Sequence, residues 1–189
     1  SDSHLEHIAI ALAQFLKELH QIDSKDGPPA GPHNYYRGAH PSVYDAAAKA
    51  DIATLKTIID ADNALAVWNK AIASKWHLPP LWIHGDFASG NILLNNNTIT
   101  AIIDFGCMGV GDPACDLVIA WTFLNKKSRK IFKEHLDLDA NTWARARGWA
   151  LWKAGFELAG YADKTSVEAL QKQQIISEVL DEHNLEYES

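Results

Sequence analysis

Cysteine is almost missing from this chain. Cys107 and Cys115 are the two it has in 189 residues, and neither sits in a CxxC or Cys/His ligand spacing. That argues against a zinc framework and leaves both thiols to pack as small apolar side chains. Long hydrophobic runs are missing too. No stretch of about twenty apolar residues reads as a membrane span, and no basic segment leads into an apolar one as a secretory signal would. Positive charge is in short supply: 17 Lys and Arg face 24 Asp and Glu, a formal net charge of −7. A general nucleic-acid binder needs a basic stripe, and none is present. The acidic balance is compatible with a cationic small-molecule substrate and equally with plain solubility. The nine histidines are scattered; His4 and His7 share a helix face without a third ligand and read as surface residues. Repeats and low-complexity tracts are absent. Together these absences point to a cytoplasmic globular protein that acts on neither nucleic acid nor membrane.

What is present is a core. Hydrophobic residues make up 47% of the chain, including seven Trp, which is globular rather than disordered. Leu5, Ile8, Ile10, Leu12, Phe15, Leu16 and Leu19 recur at helical spacing behind Ser3, a candidate N-cap. The Gly- and Pro-rich stretch from Asp26 to Pro41 reads as loop, and holds the cluster Asn34-Tyr35-Tyr36-Arg37-Gly38. Two helices are predicted next, over about 44–59 and 61–76, ended by Pro79-Pro80. The pattern then changes. Leu81-Trp82-Ile83 is a short apolar run. Ile92–Leu94 and Thr98–Phe105 read as a β-hairpin closed by Asn95-Asn96-Asn97, since Asn tolerates the positive φ of a tight turn. Helices are predicted again over about 116–124, 128–135, 142–159 and 165–183, the last polar and partly exposed. The expected architecture is mainly α with a small β-hairpin insert, an α+β arrangement. It forms a single lobe over residues 1–189 with a helical insert at about 42–77 and a β segment carrying the chemistry at about 81–106.

The chemistry concentrates in His84-Gly85-Asp86, Asn91 and Asp104-Phe105-Gly106. An Asp is followed five residues later by an Asn and thirteen further on by a second Asp. Asp86, on a tight loop after a strand, can accept a hydrogen bond from an acceptor hydroxyl. Asn91 and Asp104 offer hard oxygen atoms suited to Mg²⁺. His84 is expected to orient the loop by hydrogen bonds rather than act as a base. Any one of these residues alone reads as a turn former or cap; the constellation reads as a phosphoryl-transfer site. Gly106, Gly109 and Gly111 match neither GxGxxG nor a P-loop and read as turn glycines. Asp116 falls near a helix N-terminus, where its charge suits the dipole, and Asp112 can cap the same turn.

With these residues, the chain resembles the aminoglycoside phosphotransferase family, small-molecule kinases of the protein-kinase-like fold. The resemblance is carried by His84-Gly85-Asp86 with Asn91, by Ile102-Ile103-Asp104-Phe105-Gly106, and by Gly111-Asp112-Pro113-Ala114-Cys115-Asp116-Leu117. Phe15 to His20 resembles the helix after the family's interlobe hinge, and Gly148 to Lys153 a late helix, so the likeness spans about residues 4–160. It implies that Asp86 is the catalytic base, that Asn91 and Asp104 hold Mg²⁺, that ATP is the co-substrate, and that Asp116 braces the catalytic loop beside His84. Gly85 stands where protein kinases carry an Arg. The likeness also implies that this is the C-terminal helical lobe alone, because no strand-borne ATP-binding Lys or nucleotide-covering loop precedes the first helix. A missing N-terminal nucleotide-binding lobe is then the partner, and the acceptor is a small molecule with a hydroxyl group. Asn34, Tyr35, Tyr36, Arg37, Trp149, Trp152 and Glu157 are candidates to bind it. The Trp spacing also fits a core. Choline-, sugar- or amino-alcohol-type kinases and a non-catalytic remnant stay open as alternative readings.

Overall fold

The structure is a computed structural model that describes residues 2–187. It is mostly helical with two small antiparallel sheets. No described helix is long and apolar enough to cross a membrane. The described residues group into two compact units. One gathers residues up to Ala39 with Trp76–Trp143; the other gathers His40–Lys75 with residues from Ala144 onward.

The first unit is organised by α1 (Asp2–Gln21). Its Ile8, Leu12, Leu16 and Leu19, spaced three or four apart, are buried, and the helix packs against α5 (Lys126–Leu136). The predicted start of α5 at Ser128 lies two residues late. Asn125 is the N-cap, its side chain accepting the Ser128 N–H at 3.0 Å, so the helix begins directly after it. Strand β1 (Leu81–Ile83) is capped laterally by Trp82, whose indole donates to the Asp23 carbonyl at 2.9 Å. Strands β2 (Ile92–Asn95) and β3 (Thr98–Ile102) form the predicted hairpin. Its turn is tighter than expected: Asn96 and Asn97 alone close it, at φ 49° and 62°, the left-handed pair of a two-residue turn. β3 stops at Ile102, short of Phe105, because Asp104 is itself left-handed at φ 63° and a 3₁₀ turn follows.

Gly109 and Gly111 are strand rather than turn residues. They belong to β4 (Gly109–Gly111), which pairs with β1 so that Trp82 faces Val110. A Cβ at Gly111 would overlap the Gly38 carbonyl, and the Asp112 N–H donates to that carbonyl at 2.8 Å. The loop before residue 39 is therefore stitched to β4 backbone to backbone. Beyond it, the helix predicted over 116–124 opens as a 3₁₀ turn, Pro113–Val118, and only then becomes α4 (Ile119–Thr122). Pro113 at the first position and the Asp112 side chain accepting the Ala114 N–H at 3.1 Å start the turn early.

The second unit contains α2 (Asp45–Thr54), α3 (Ala61–Ile72), most of α6 (Ala140–Gly160), and α7 (Val167–Tyr187). Both insert helices end earlier than predicted, at Thr54 and Ile72, and Asp60 caps the start of α3 by accepting the Asn63 N–H at 3.1 Å. Trp68 is fully buried and donates its indole N–H to Asp45 at 2.7 Å. Gly148 admits α3 so closely that a Cβ there would overlap Ala71. The polar α7 is docked by Ala169, Ile176 and Val179, all buried, and by the buried Arg147, which reaches Glu182 at 3.4 Å and Glu186 at 2.8 Å.

Candidate functional site

The signature residues lie in the first unit and are brought together mainly by backbone hydrogen bonds. Asn91 sits in the 3₁₀ turn before β2. Its carbonyl accepts the Ile103 N–H at 2.9 Å, while the Ile103 carbonyl faces Nε2 of His84 at 3.0 Å. Ile103 is thus held on both sides, and Asp104 follows directly. Asn91 Nδ2 donates to the Asp86 carbonyl at 2.9 Å and to Asp86 Oδ2 at 3.2 Å. One network therefore ties Asp86, Asn91 and Ile103, and Asp104 follows Ile103 in the chain.

His84 is fully buried, between Phe87 and Phe105 at ring-centroid separations of 5.7 and 4.6 Å. Its Nδ1 accepts the Asp86 N–H at 3.3 Å, which assigns the proton to Nε2, where it meets the Ile103 carbonyl. Phe15 of α1 stacks on Phe87 at 5.5 Å, so the loop rests on an aromatic floor supplied by the first helix.

Asp116 is also fully buried. Its carboxylate accepts the His84 N–H at 2.7 Å and the Gly85 N–H at 2.8 Å. Burial pushes its pKa up to about 6, opposed by these two donors and by the positive charge of Arg37. Cys115 beside it is buried, and the same desolvation holds its thiol well above the usual range, so it is an inert packing group. Gly85 has φ 82°, and a Cβ there would overlap the Cys107 carbonyl. Only glycine lets the loop close on the turn that follows Asp104.

The carboxylate of Asp104 is exposed, with Oδ1 near the Gly106 N–H at 3.4 Å. Because the Asn91 amide nitrogen is committed to Asp86, its oxygen is the atom it has to offer a cation. No group of three or more His, Cys, Asp or Glu is gathered as a metal cage among the described residues. One carboxylate and one carboxamide fit a hard cation that draws its remaining ligands from water and phosphate oxygens.

The acceptor candidates fall into both units. Tyr35 and Tyr36 are exposed in the first, and Arg37 is half-buried there. In the second, Trp149 is only 2% exposed and packs edge-on against Tyr44 at 5.9 Å, which makes it core. Trp152 stacks on Tyr44 at 4.0 Å. Glu157 pairs with Lys172 at 2.5 Å and borders an open hollow of about 610 Å³ with Asp51, Phe156 and Tyr161. The approach of the Cys107 peptide to Gly85 has no local sequence signal beyond the glycine itself.

The model of the phosphotransferase enzyme family matches residues 1–149, a stretch that holds Asp86, Asn91 and Asp104. The chain belongs to the phosphotransferase enzyme family. Among solved structures it is similar to the GDP and kanamycin complex of aminoglycoside phosphotransferase APH(2'')-IIIa, at TM-score 0.63 and 19% identity, covering 99% of this chain and 65% of that one. It is also similar to a thermostable mutant of APH(4)-Ia, at TM-score 0.58 and 20% identity over 97% of this chain and 67% of that one. A third likeness is to ADP-bound APH(2'')-Ib, at TM-score 0.53 and 19% identity over 95% and 64%. At these identities the likeness establishes the fold, that of kinase-like phosphotransferases. The chain spans about two thirds of the length of these neighbours. No match was found among curated protein sequences.

Proposed function

We propose that this chain carries the catalytic and acceptor side of an ATP-dependent small-molecule kinase, and that it moves the γ-phosphoryl group to a hydroxyl. The observation that carries the reading is that Asn91 is hydrogen-bonded to Asp86 through its side chain and, through its carbonyl, to Ile103, the residue before Asp104. Asp86 accepts the hydrogen bond of the acceptor hydroxyl and takes its proton as the new O–P bond forms and the bond to the departing nucleoside diphosphate breaks. Asn91 Oδ1 and the Asp104 carboxylate are the groups that would hold Mg²⁺. When bound, the metal neutralises phosphate charge that the chain's own side chains leave uncovered. His84 and Asp116 keep the loop in place without touching substrate.

ADP- and GDP-bound neighbours support a nucleotide co-substrate. Neighbours solved with kanamycin, gentamicin and streptomycin support an aminoglycoside-class acceptor. Tyr35, Tyr36 and Arg37, in the unit that carries Asp86, are the side chains we assign to acceptor contact; within the second unit Trp152 stacks on Tyr44 and Glu157 pairs with Lys172. The remaining nucleotide contacts we assign to a lobe matching the part of the neighbours that this chain does not span. The test is a thermal-shift screen with Mg–ATP, kanamycin, choline and small alcohols, followed by label transfer from γ-labelled ATP to whichever stabilises. A ligand that binds only the folded state raises its midpoint. Stabilisation by kanamycin with label transfer supports the reading. Stabilisation without transfer, in a protein bearing both lobes, supports a binding remnant instead.

A further inference from the structure

Asn34 stands among the acceptor candidates by sequence, but it is fully buried within a largely exposed loop and bonds to its own chain rather than to a ligand. Its Oδ1 accepts the Gly31 N–H at 3.1 Å. Its Nδ2 donates to the Arg37 carbonyl at 3.1 Å and to the Cys107 carbonyl at 3.4 Å. An amide nitrogen carries two hydrogens, and here one serves the residue's own loop while the other reaches three residues past Asp104. The Cys107 carbonyl is also the group against which Gly85 closes. The Cys107 peptide is therefore held between Asn34 and the residue preceding Asp86. The fit is close: a Cβ at Gly109 would come within 2.8 Å of the Asn34 amide nitrogen and 3.0 Å of the Pro28 carbonyl.

On the other side of Asn34, Tyr35 and Tyr36 both adopt left-handed backbone, at φ 53° and 56°. Bulky residues rarely accept this conformation, and two in succession persist only where the surroundings determine them. Here the determinants are the three Asn34 bonds and the Tyr36 N–H donating to the Gly31 carbonyl at 2.8 Å. The result presents two tyrosines at 65% and 40% exposure on a loop anchored to the Asp104 turn.

We infer that Asn34 is a positioning residue of the phosphotransfer site: by holding the Cys107 carbonyl it sets the Asp104 turn against Gly85 and ties that turn to the Tyr35–Tyr36 loop. The inference rests on the metal-binding role proposed for Asp104. Asn34→Asp is isosteric, keeps an acceptor for Gly31 and loses both donations. It should raise hydrogen exchange at the Gly106 and Met108 amides about tenfold and weaken Mn²⁺–ATP affinity, read by electron paramagnetic resonance, by about tenfold, the equivalent of one lost hydrogen bond. Exchange in α5 should stay at the wild-type level. Gly109→Ala, which leaves Asn34 in place and displaces its amide, should do the same and serves if the first variant folds poorly. Wild-type exchange at 106 and 108 in both variants would overturn the inference. So would faster exchange with Mn²⁺–ATP affinity unchanged below the unfolding midpoint, since that marks a merely structural residue. If the wild-type protein bearing both lobes binds no Mn²⁺–ATP, the phosphotransfer reading fails, and the exchange comparison alone decides whether Asn34 holds the turn.

Discussion

The two units are held in contrasting ways. Around the signature residues of the first, main-chain groups do most of the joining: Asp116 takes two consecutive loop N–H groups, Ile103 is bonded through both its N–H and its carbonyl, and Gly85 closes on a carbonyl. The second is held by large side chains, Trp68 on Asp45 and Arg147 between Glu182 and Glu186. Backbone joints fix atoms where chemistry needs them and tolerate little substitution. Side-chain joints fix helices to one another and leave the surface free to vary.

Four perturbations probe this contrast. The largest effect is expected from Asp86→Ala, which should lower turnover by roughly 10²–10⁴-fold, the worth of a general base, while the thermal midpoint stays near wild type. Near-normal turnover would remove Asp86 from the chemistry. Gly85→Ala comes next. It forces a side chain at φ 82° into the Cys107 carbonyl and should cost about 3 kcal/mol or more in urea unfolding. A loss below about 1 kcal/mol would show that the loop is not closed as described.

In the second unit, Arg147→Ala removes a buried cation but leaves two partly exposed carboxylates, so about 2 kcal/mol is expected, less than for a fully buried pair. The loss should appear as faster exchange in α7 with exchange at His84 and Gly85 unchanged; faster exchange at those amides would erase the contrast between units. The smallest effect is on pH dependence. The folded-state pKa of Asp116 is raised to about 6 by burial. Between the ordinary carboxylate range and about 6 the folded protein therefore holds a proton that the unfolded chain has released. This group's contribution to stability falls as pH rises through that window and is flat above it. Below about pH 6 one carboxyl oxygen carries a proton. An opening that exposes His84 and Gly85 also returns Asp116 to water and to its ordinary range, so exchange at these amides, corrected for its intrinsic rate, should slow as pH falls through that value, and Asp116→Asn should abolish the dependence.

The contrast also marks what the sequence could show. The hairpin was legible because Asn tolerates left-handed backbone, and the approach of Asn91 to Asp86 because the two stand five residues apart on one loop. The helical class followed from apolar spacing. β4 was not legible: Gly109-Val110-Gly111 has poor strand propensity, and becomes a strand because only glycine permits the Gly38 backbone to approach. The early start of α5 was missed because Asn125 stands apart from the apolar periodicity that it caps. Trp149 and Trp152 share a helical spacing that fits core or binding surface equally, and only burial separates them. The tie from Asn34 to the Asp104 turn was not legible, since that partner, the Cys107 carbonyl, lies 73 residues along the chain.

The central claim is that Asp86, Asn91 and Asp104 form one metal–nucleotide site. Paramagnetic broadening of backbone amide resonances by Mn²⁺ with ATP tests it directly, and tolerates weak binding. The account predicts selective broadening at residues 84–91 and 103–107, lost in Asp104→Asn. Broadening centred elsewhere, for example on the Asp51 and Glu157 hollow of the second unit, or unchanged by Asp104→Asn, would contradict it.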